Sequence, residues 1–315
     1  MLAKSITLLI HIILLNSPHL SAQESPDYTI IWKEKAKLPF NISNNSAAAV
    51  GSRIYTIGGR AENVQSGKFV FQYNIEDDKW ERKTDMLTGR ANLAAAVVGG
   101  KVYAIGGNMY KDTNERYDPE TDSWESLVPM PTGRQHLNDC AAVIGGKIYI
   151  IGGFEAPEQR NTFGPPSAKN EVYDTETDTW EEKAPLPIPR DSPAVAGVNG
   201  KIYVIGGIGS RSEPPHVEIY DPASDKWEKG KRMPEKLHMM NYAVIADKIV
   251  VFGIREGIPF YKLFVYDTAV DKWGTVTQLP NKMRLAGITS ANNKIYVISG
   301  GSSLNILEGT LTKTR

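Results

Sequence analysis

The sequence predicts an all-β protein, a single domain built from six four-stranded units. Three observations carry that prediction. First, an apolar strand closed by a glycine pair recurs along the chain. The copies are "RIYTIGG" from Arg53, "KVYAIGG" from Lys101, "KIYIIGG" from Lys147, "KIYVIGG" from Lys201, and the altered "KIVVFGI" from Lys248 and "KIYVISG" from Lys294. Their starts lie 48, 46, 54, 47 and 46 residues apart. Second, "YNIEDDKW", "YDPETDSW", "YDTETDTW", "YDPASDKW" and "YDTAVDKW" alternate with these copies, ending at Trp80, Trp124, Trp180, Trp227 and Trp273. Third, the chain opens on a fourth-strand segment at Trp32 and closes on a third-strand segment near "SLNILEG". The strand ranks balance only if the N-terminal strand completes the last unit.

In chain order, residues 1–22 come before this pattern. Lys4, the apolar run from Ile6 to Leu15 and a small-residue end at Ala22 describe a secretory signal peptide. The run is too short for a membrane span, and no cysteine follows the cut to take a lipid, so no membrane anchor is expected. The protein is then exported, either periplasmic or secreted. Losing Lys4 from the 36 basic residues leaves 35 against 36 acidic ones. So neutral a chain offers nucleic acid no general attraction, and none is expected as a partner. The single cysteine, Cys140, cannot form an intrachain disulfide, so stability must come from the core.

Within each unit, a small-residue alternating stretch such as "AAAVVGG" reads as the first strand and the Lys-Ile-Tyr segment as the second. A run ending in Tyr-Asp reads as the third, and the tryptophan opens the fourth. Gly-Gly-Lys and Asp-Pro-Glu-Thr-Asp are tight links, which predicts antiparallel hairpins. The glycine pair suits a positive φ or a close backbone approach. The aspartate two positions before each of the five tryptophans reads as a turn residue on the face opposite the long loops.

These motifs resemble the kelch-repeat family over about residues 27–308. The resemblance implies a single six-bladed kelch β-propeller spanning 27–309, with its N-terminal strand closing the last blade and 310–315 left as a tail. Links between the second and third strands, and between blades, then share one face around a central channel, where a ligand site is expected. The spacing from each tryptophan to the next repeat start is 21 residues, except from Trp124 to Lys147, where it is 23. That linker contains "GRQHLNDC", and the same blade carries the longest loop, Phe154 to Asn170. Both irregularities point to the third blade.

On that face, Arg90, Arg134 and Arg190 each fall ten residues after a tryptophan, Arg284 falls eleven after one, and Arg160 lies in the long loop. They are candidates for binding a carboxylate, or else loop-carbonyl donors. His136 and His238 are candidate bases, with Tyr110 or Glu155 as acid. His216 is weaker, and three scattered histidines make no metal motif, so neither metal nor cofactor is expected. Cys140 reads as a buried core residue. Two sequons, Asn41 and Asn44, matter only in a eukaryotic secretory pathway.

Kelch propellers include substrate adaptors, copper oxidases and sialic-acid mutarotases. No partner domain is visible in the sequence, and the scattered histidines argue against copper. The resulting expectation is an enzyme acting on an acidic mono- or oligosaccharide, either a lyase or dehydratase by uronate elimination or a mutarotase or epimerase. Elimination is favoured by the availability of Tyr110 and His136, with arginine neutralising the carboxylate. The alternative is a non-catalytic glycan- or protein-binding propeller, using Tyr110, Phe154, Phe163 and Phe260.

Overall fold

The computed structural model describes residues 26–108, 111–155, 164–209, 216–255, 261–277, 279–280, 284–300 and 305–314. Among these residues there is no helix, and the strands form six four-stranded antiparallel blades. The chain starts with β1 (Tyr28–Lys37) and then builds blade one from β2 (Ser46–Val50), β3 (Arg53–Ile57), β4 (Val70–Asn74) and β5 (Lys79–Arg82). Blade two contains β6 (Ala94–Val98), β7 (Lys101–Ile105), β8 (Asn114–Asp118) and β9 (Ser123–Leu127). Blade three adds a short β10 (Arg134–Gln135) before β11 (Ala141–Ile144) and β12 (Lys147–Ile151). It then adds a short β13 (Phe154–Glu155) before β14 (Asn170–Asp174) and β15 (Thr179–Glu182). Blade four is β16 (Ala194–Val198), β17 (Lys201–Ile205), β18 (His216–Asp221) and β19 (Lys226–Arg232). Blade five is β20 (His238–Ile245), β21 (Lys248–Ile254), β22 (Tyr261–Asp267) and β23 (Lys272–Thr275). Blade six joins β24 (Arg284–Ala291), β25 (Lys294–Gly300) and β26 (Asn305–Lys313) to β1. The leader expected over residues 1–22 lies outside the described residues.

The first strands of successive blades lie side by side around the channel, and β24 meets β2 to close the ring. Small side chains such as Ala48, Ala96, Ala142, Gly197 and Ala243 allow six strands to crowd there. The second strands form the core: β7 is buried at every position after Lys101, and β12 and β17 follow the same pattern.

The recurring aspartate and tryptophan hold each blade to the one before it. Asp78, Asp122, Asp178, Asp225 and Asp271 all sit at positive φ, between 50° and 53°, which Asp tolerates better than most residues. Each accepts a hydrogen bond from the tyrosine hydroxyl five residues earlier in its own blade. Each also accepts one from a backbone N–H of the preceding blade, from Ala36, Thr84, Val128, Ala184 and Lys231 respectively. The tryptophan two residues on donates its indole N–H to the carbonyl of that same residue. One Asp-x-Trp thus satisfies both backbone groups of a single residue across each junction.

Blade six does this differently. Asp27 accepts from the Thr275 amide, but Thr29 stands where the tryptophan would be. Trp32 is three residues further along β1, and its buried indole N–H has no partner among the described residues. β1 and β26 pair from Tyr28↔Lys313 to Lys37↔Asn305. The closing strand therefore reaches Lys313, and most of the tail expected at 310–315 is strand.

Candidate functional site

The glycine pairs end the second strands at the upper mouth of the channel. Gly58 and Gly59 have φ of 66° and 102°, and a Cβ on Gly58 would stand 2.4 Å from the Arg90 carbonyl. The second glycine donates its N–H to the next blade: Gly59 to Arg90, Gly107 to Arg134 and Gly153 to Arg190. Two residues past these contact points the chain turns left-handed at Asn92, His136 and Ser192, as it also does at Asn44 and Met239, with φ between 50° and 59°. Asn suits that conformation, whereas Ser and Met adopt it at a cost of about 1–2 kcal/mol each. Backbone bonds link this ring, from the Asn92 amide to the Asn44 carbonyl and from the Leu137 amide to the Asn92 carbonyl.

The two irregularities of blade three meet here. β10 pairs with β13, with Arg134 opposite Glu155 and Gln135 opposite Phe154. Leu137 occupies the place of Leu93, both fully buried, and Cys140 takes that of Ala94 at the start of the inner strand. The two-residue excess is therefore Asn138-Asp139, and it reaches across the channel. Asn138 Nδ2 donates to the Asn45 carbonyl of blade one (3.3 Å), and Asn241 Nδ2 of blade five donates to Asp139 Oδ2. Tyr242 donates its hydroxyl to the Ala141 carbonyl (3.0 Å).

Asn138 and Asp139 line both a mouth cavity of about 240 Å³ and a channel cavity of about 260 Å³. They form the floor of the first and the ceiling of the second, so the mouth is a cup.

On the cup wall, His136 Nδ1 lies 3.1 and 3.2 Å from the two carboxylate oxygens of Asp191, from the next blade. A carboxylate can only accept here, so Nδ1 carries the proton and Nε2 is left basic. The His136 ring also packs 5.6 Å from Phe154. Arg60, directly after the first glycine pair, is exposed and lines the cup; its backbone pairs with Ser43. Burial pushes the Asp139 carboxyl up to about 7, opposed by its hydrogen bonds from Asn241 and the Tyr242 backbone. Burial also drives the Cys140 thiol well above its usual range, and it donates to the His136 and Pro193 carbonyls.

The expected ring of arginines at the mouth is corrected. Arg90, Arg134 and Arg190 are buried, at 0%, 0% and 1% exposure. They pair with Glu115 (3.0 Å), Glu171 (2.7 Å) and Glu218 (2.6 Å) and donate to strand carbonyls such as Gly106, Gly152 and Gly206. A guanidinium committed in this way has nothing to offer a ligand. Arg284 pairs through its backbone with Gly300, while Arg160 and Tyr110 lie outside the described residues, as do Phe163 and Phe260.

Glu155 accepts from the Ser167 hydroxyl at 2.6 Å and does not line the cup. Nor does His238: its neighbour Met239 does, while His238 Nδ1 is buried without a partner among the described residues. His216 is tied into its own hairpin through the Gly230 carbonyl and Arg232. Of the expected catalytic residues that are described, only His136 lines the cup. Sequence reasoning missed Asp191, Arg60, Asp139 and Asn241. Asp139 lay inside the flagged stretch, and Asp191 directly follows Arg190.

Comparison with known proteins places this geometry in context. Residues 92–301 match the family described as KLHDC2/KLHL20/DRC7 Kelch-repeats domain, and residues 42–87 match the Kelch motif. Beta-scruin of Limulus polyphemus is 25% identical over 227 residues, covering 66% of this chain and 24% of that protein. Kelch-like protein 15 of Danio rerio is 29% identical over 244 residues, covering 71% of this chain and 40% of its own. Kelch-like protein terF of Aspergillus terreus is 26% identical over 246 residues, covering 70% and 51%. This chain thus spans about a quarter to a half of these relatives. The solved structure of YjhT superimposes with a TM-score of 0.70 at 16% identity, covering 89% of this chain and 99% of that one; it supports the fold alone.

Proposed function

Because the chain belongs to the kelch-repeat family of β-propellers, whose fold leaves the chemistry open, we propose that its cup is an acid/base site for an acidic sugar. The observation that carries this reading is the His136–Asp191 pair, whose histidine lines the cup together with the exposed Arg60. Arg60 takes the carboxylate, the role expected of the arginines that prove to be buried. His136 Nε2 takes a proton from the sugar, and Asn44, Asn92 and Asn138 supply amides for its hydroxyls. At about 240 Å³ the cup is smaller than the roughly 300 Å³ at which drug-sized sites begin, so it suits one sugar ring rather than an oligosaccharide. Two reactions on such a ring need this set: elimination from a uronate and anomer exchange of an acidic sugar. We place the protein outside the cytoplasm, on the strength of its leader sequence.

The test uses residues 23–315 with a panel of monomeric uronates and sialic acids. Absorbance of the unsaturated uronate reports elimination, and NMR reports anomer exchange. Turnover by either route that falls sharply in His136→Ala and Arg60→Ala supports the reading. A second reading, non-catalytic binding of a glycan or a protein, draws on the apolar side chains exposed at the mouth, Met239 (55%) and Ile208 (41%). Stoichiometric binding without turnover across the panel would favour it.

A further inference from the structure

We propose that Asp139 is the proton donor of this site and that it recovers its proton from the channel beneath the cup. The inference rests on the acid/base reading above and supplies the acid that reading lacks. Asp139 exists because blade three has two residues more than its neighbours, and those residues cross the channel. Asp139 therefore lines two cavities, the cup above and the channel below.

The groups packed against it leave it uncompensated. Asn241 and Tyr242 come from β20, and Cys140 comes from its own linker; none carries charge at neutral pH. The buried cation of the blade, Arg134, is committed to Glu171. His136 and Arg60, the titratable groups of the cup wall, lie in the space that the substrate fills. A carboxyl so placed keeps its proton up to about pH 7.

The step balances as follows. The sugar C–O bond breaks with its electron pair left on oxygen, and that oxygen takes the Asp139 proton. His136 Nε2 takes a proton from carbon in elimination, or from the anomeric hydroxyl in ring opening. The electron pair released forms a C=C or a C=O bond, respectively. Asp139 ends ionised and His136 ends protonated. A bound sugar shuts Asp139 off from bulk water above. The channel, with Thr289 and Ser290 hydroxyls on its wall, is wide enough for water to return the proton from below.

The experiment compares the wild type, Asp139→Asn and Asn241→Leu by steady-state kinetics from pH 5 to 9, with affinity measured by calorimetry. Asp139→Asn is expected to lower kcat by about 10²–10⁴-fold with affinity held within about threefold. Wild-type kcat is expected to fall above pH 7, and that limb is expected to vanish in Asp139→Asn. Asn241→Leu removes a hydrogen bond to the ionised form, so the limb should move to higher pH, which a merely structural Asp139 would not produce. Undiminished turnover in Asp139→Asn, or an unmoved limb in Asn241→Leu, overturns the proposal and leaves the acid/base reading standing. Absence of turnover in the wild type overturns both.

Discussion

Asp191 of one blade grips Nδ1 of His136 from the blade before it, at 3.1 Å, across 55 residues of sequence. The contact fixes which ring nitrogen is free, so the two residues act as a unit although neither blade alone contains both. His136→Ala is expected to reduce turnover on the acidic sugar by about 10²–10⁴-fold. Asp191→Asn keeps the shape but offers Nδ1 an amide donor, which favours the tautomer with its proton on Nε2. It should lose activity with little change in affinity, as kinetics alongside calorimetry would reveal.

Arg60→Ala should weaken binding of the acidic sugar by about 1.5–3 kcal/mol, the range for a hydrogen bond to a charged group. The methyl ester of the same sugar should bind both proteins alike. An equal loss for acid and ester would assign Arg60 a structural role instead.

The buried arginines predict stability effects. Arg134→Ala strands Glu171 and should cost about 3–5 kcal/mol in urea unfolding. Blade five replaces the same pair by Leu237 and Phe264, both buried in one cluster. Copying that solution, Arg134→Leu with Glu171→Phe, should cost clearly less than the single change.

Trp180→Phe removes the indole bond to the Val128 carbonyl and should destabilise by about 0.5–1.5 kcal/mol. Trp32→Phe removes an indole N–H that has no partner among the described residues, and no loss is expected. Thermal melts of the two variants side by side check this contrast.

Asp139 also sets a pH dependence of stability. Its folded value of about 7 lies above the ordinary carboxylate value near 3.9, so between those limits the native state holds the extra proton. Its contribution is fully present below about pH 4 and is lost as pH rises through 7. Asp139→Asn should flatten that decline in urea midpoints measured from pH 4 to 8.

The blades, their number and the closure by the N-terminal strand were legible because each rests on a motif repeated at fixed spacing. The odd blade was legible for the same reason, since two extra residues stand out against five linkers of equal length. The arginines were misread because a polar residue in a loop looks exposed when taken alone. Their signal was a second periodicity: blades with the arginine have Glu115, Glu171 or Glu218 two residues before the tyrosine, while blades one and five have Phe71 and Phe264. Arg60, Asp191 and Asp139 carry no repeat of their own. Asp139 is held by Asn241, 102 residues away, and no local pattern announces that contact.

The pairing of β1 with β26 has a consequence for how the chain comes into being. Tyr28 finds its partner at Lys313, so β1 must wait for β26, made after every blade between them. Five blades can assemble in order of synthesis, each docking on its predecessor through Asp and Trp, while the sixth must wait for β26. Joining the ends at so large a sequence separation is the slow kind of contact. Loss of β26 would leave both of its neighbours, β1 and β25, with an unpaired edge.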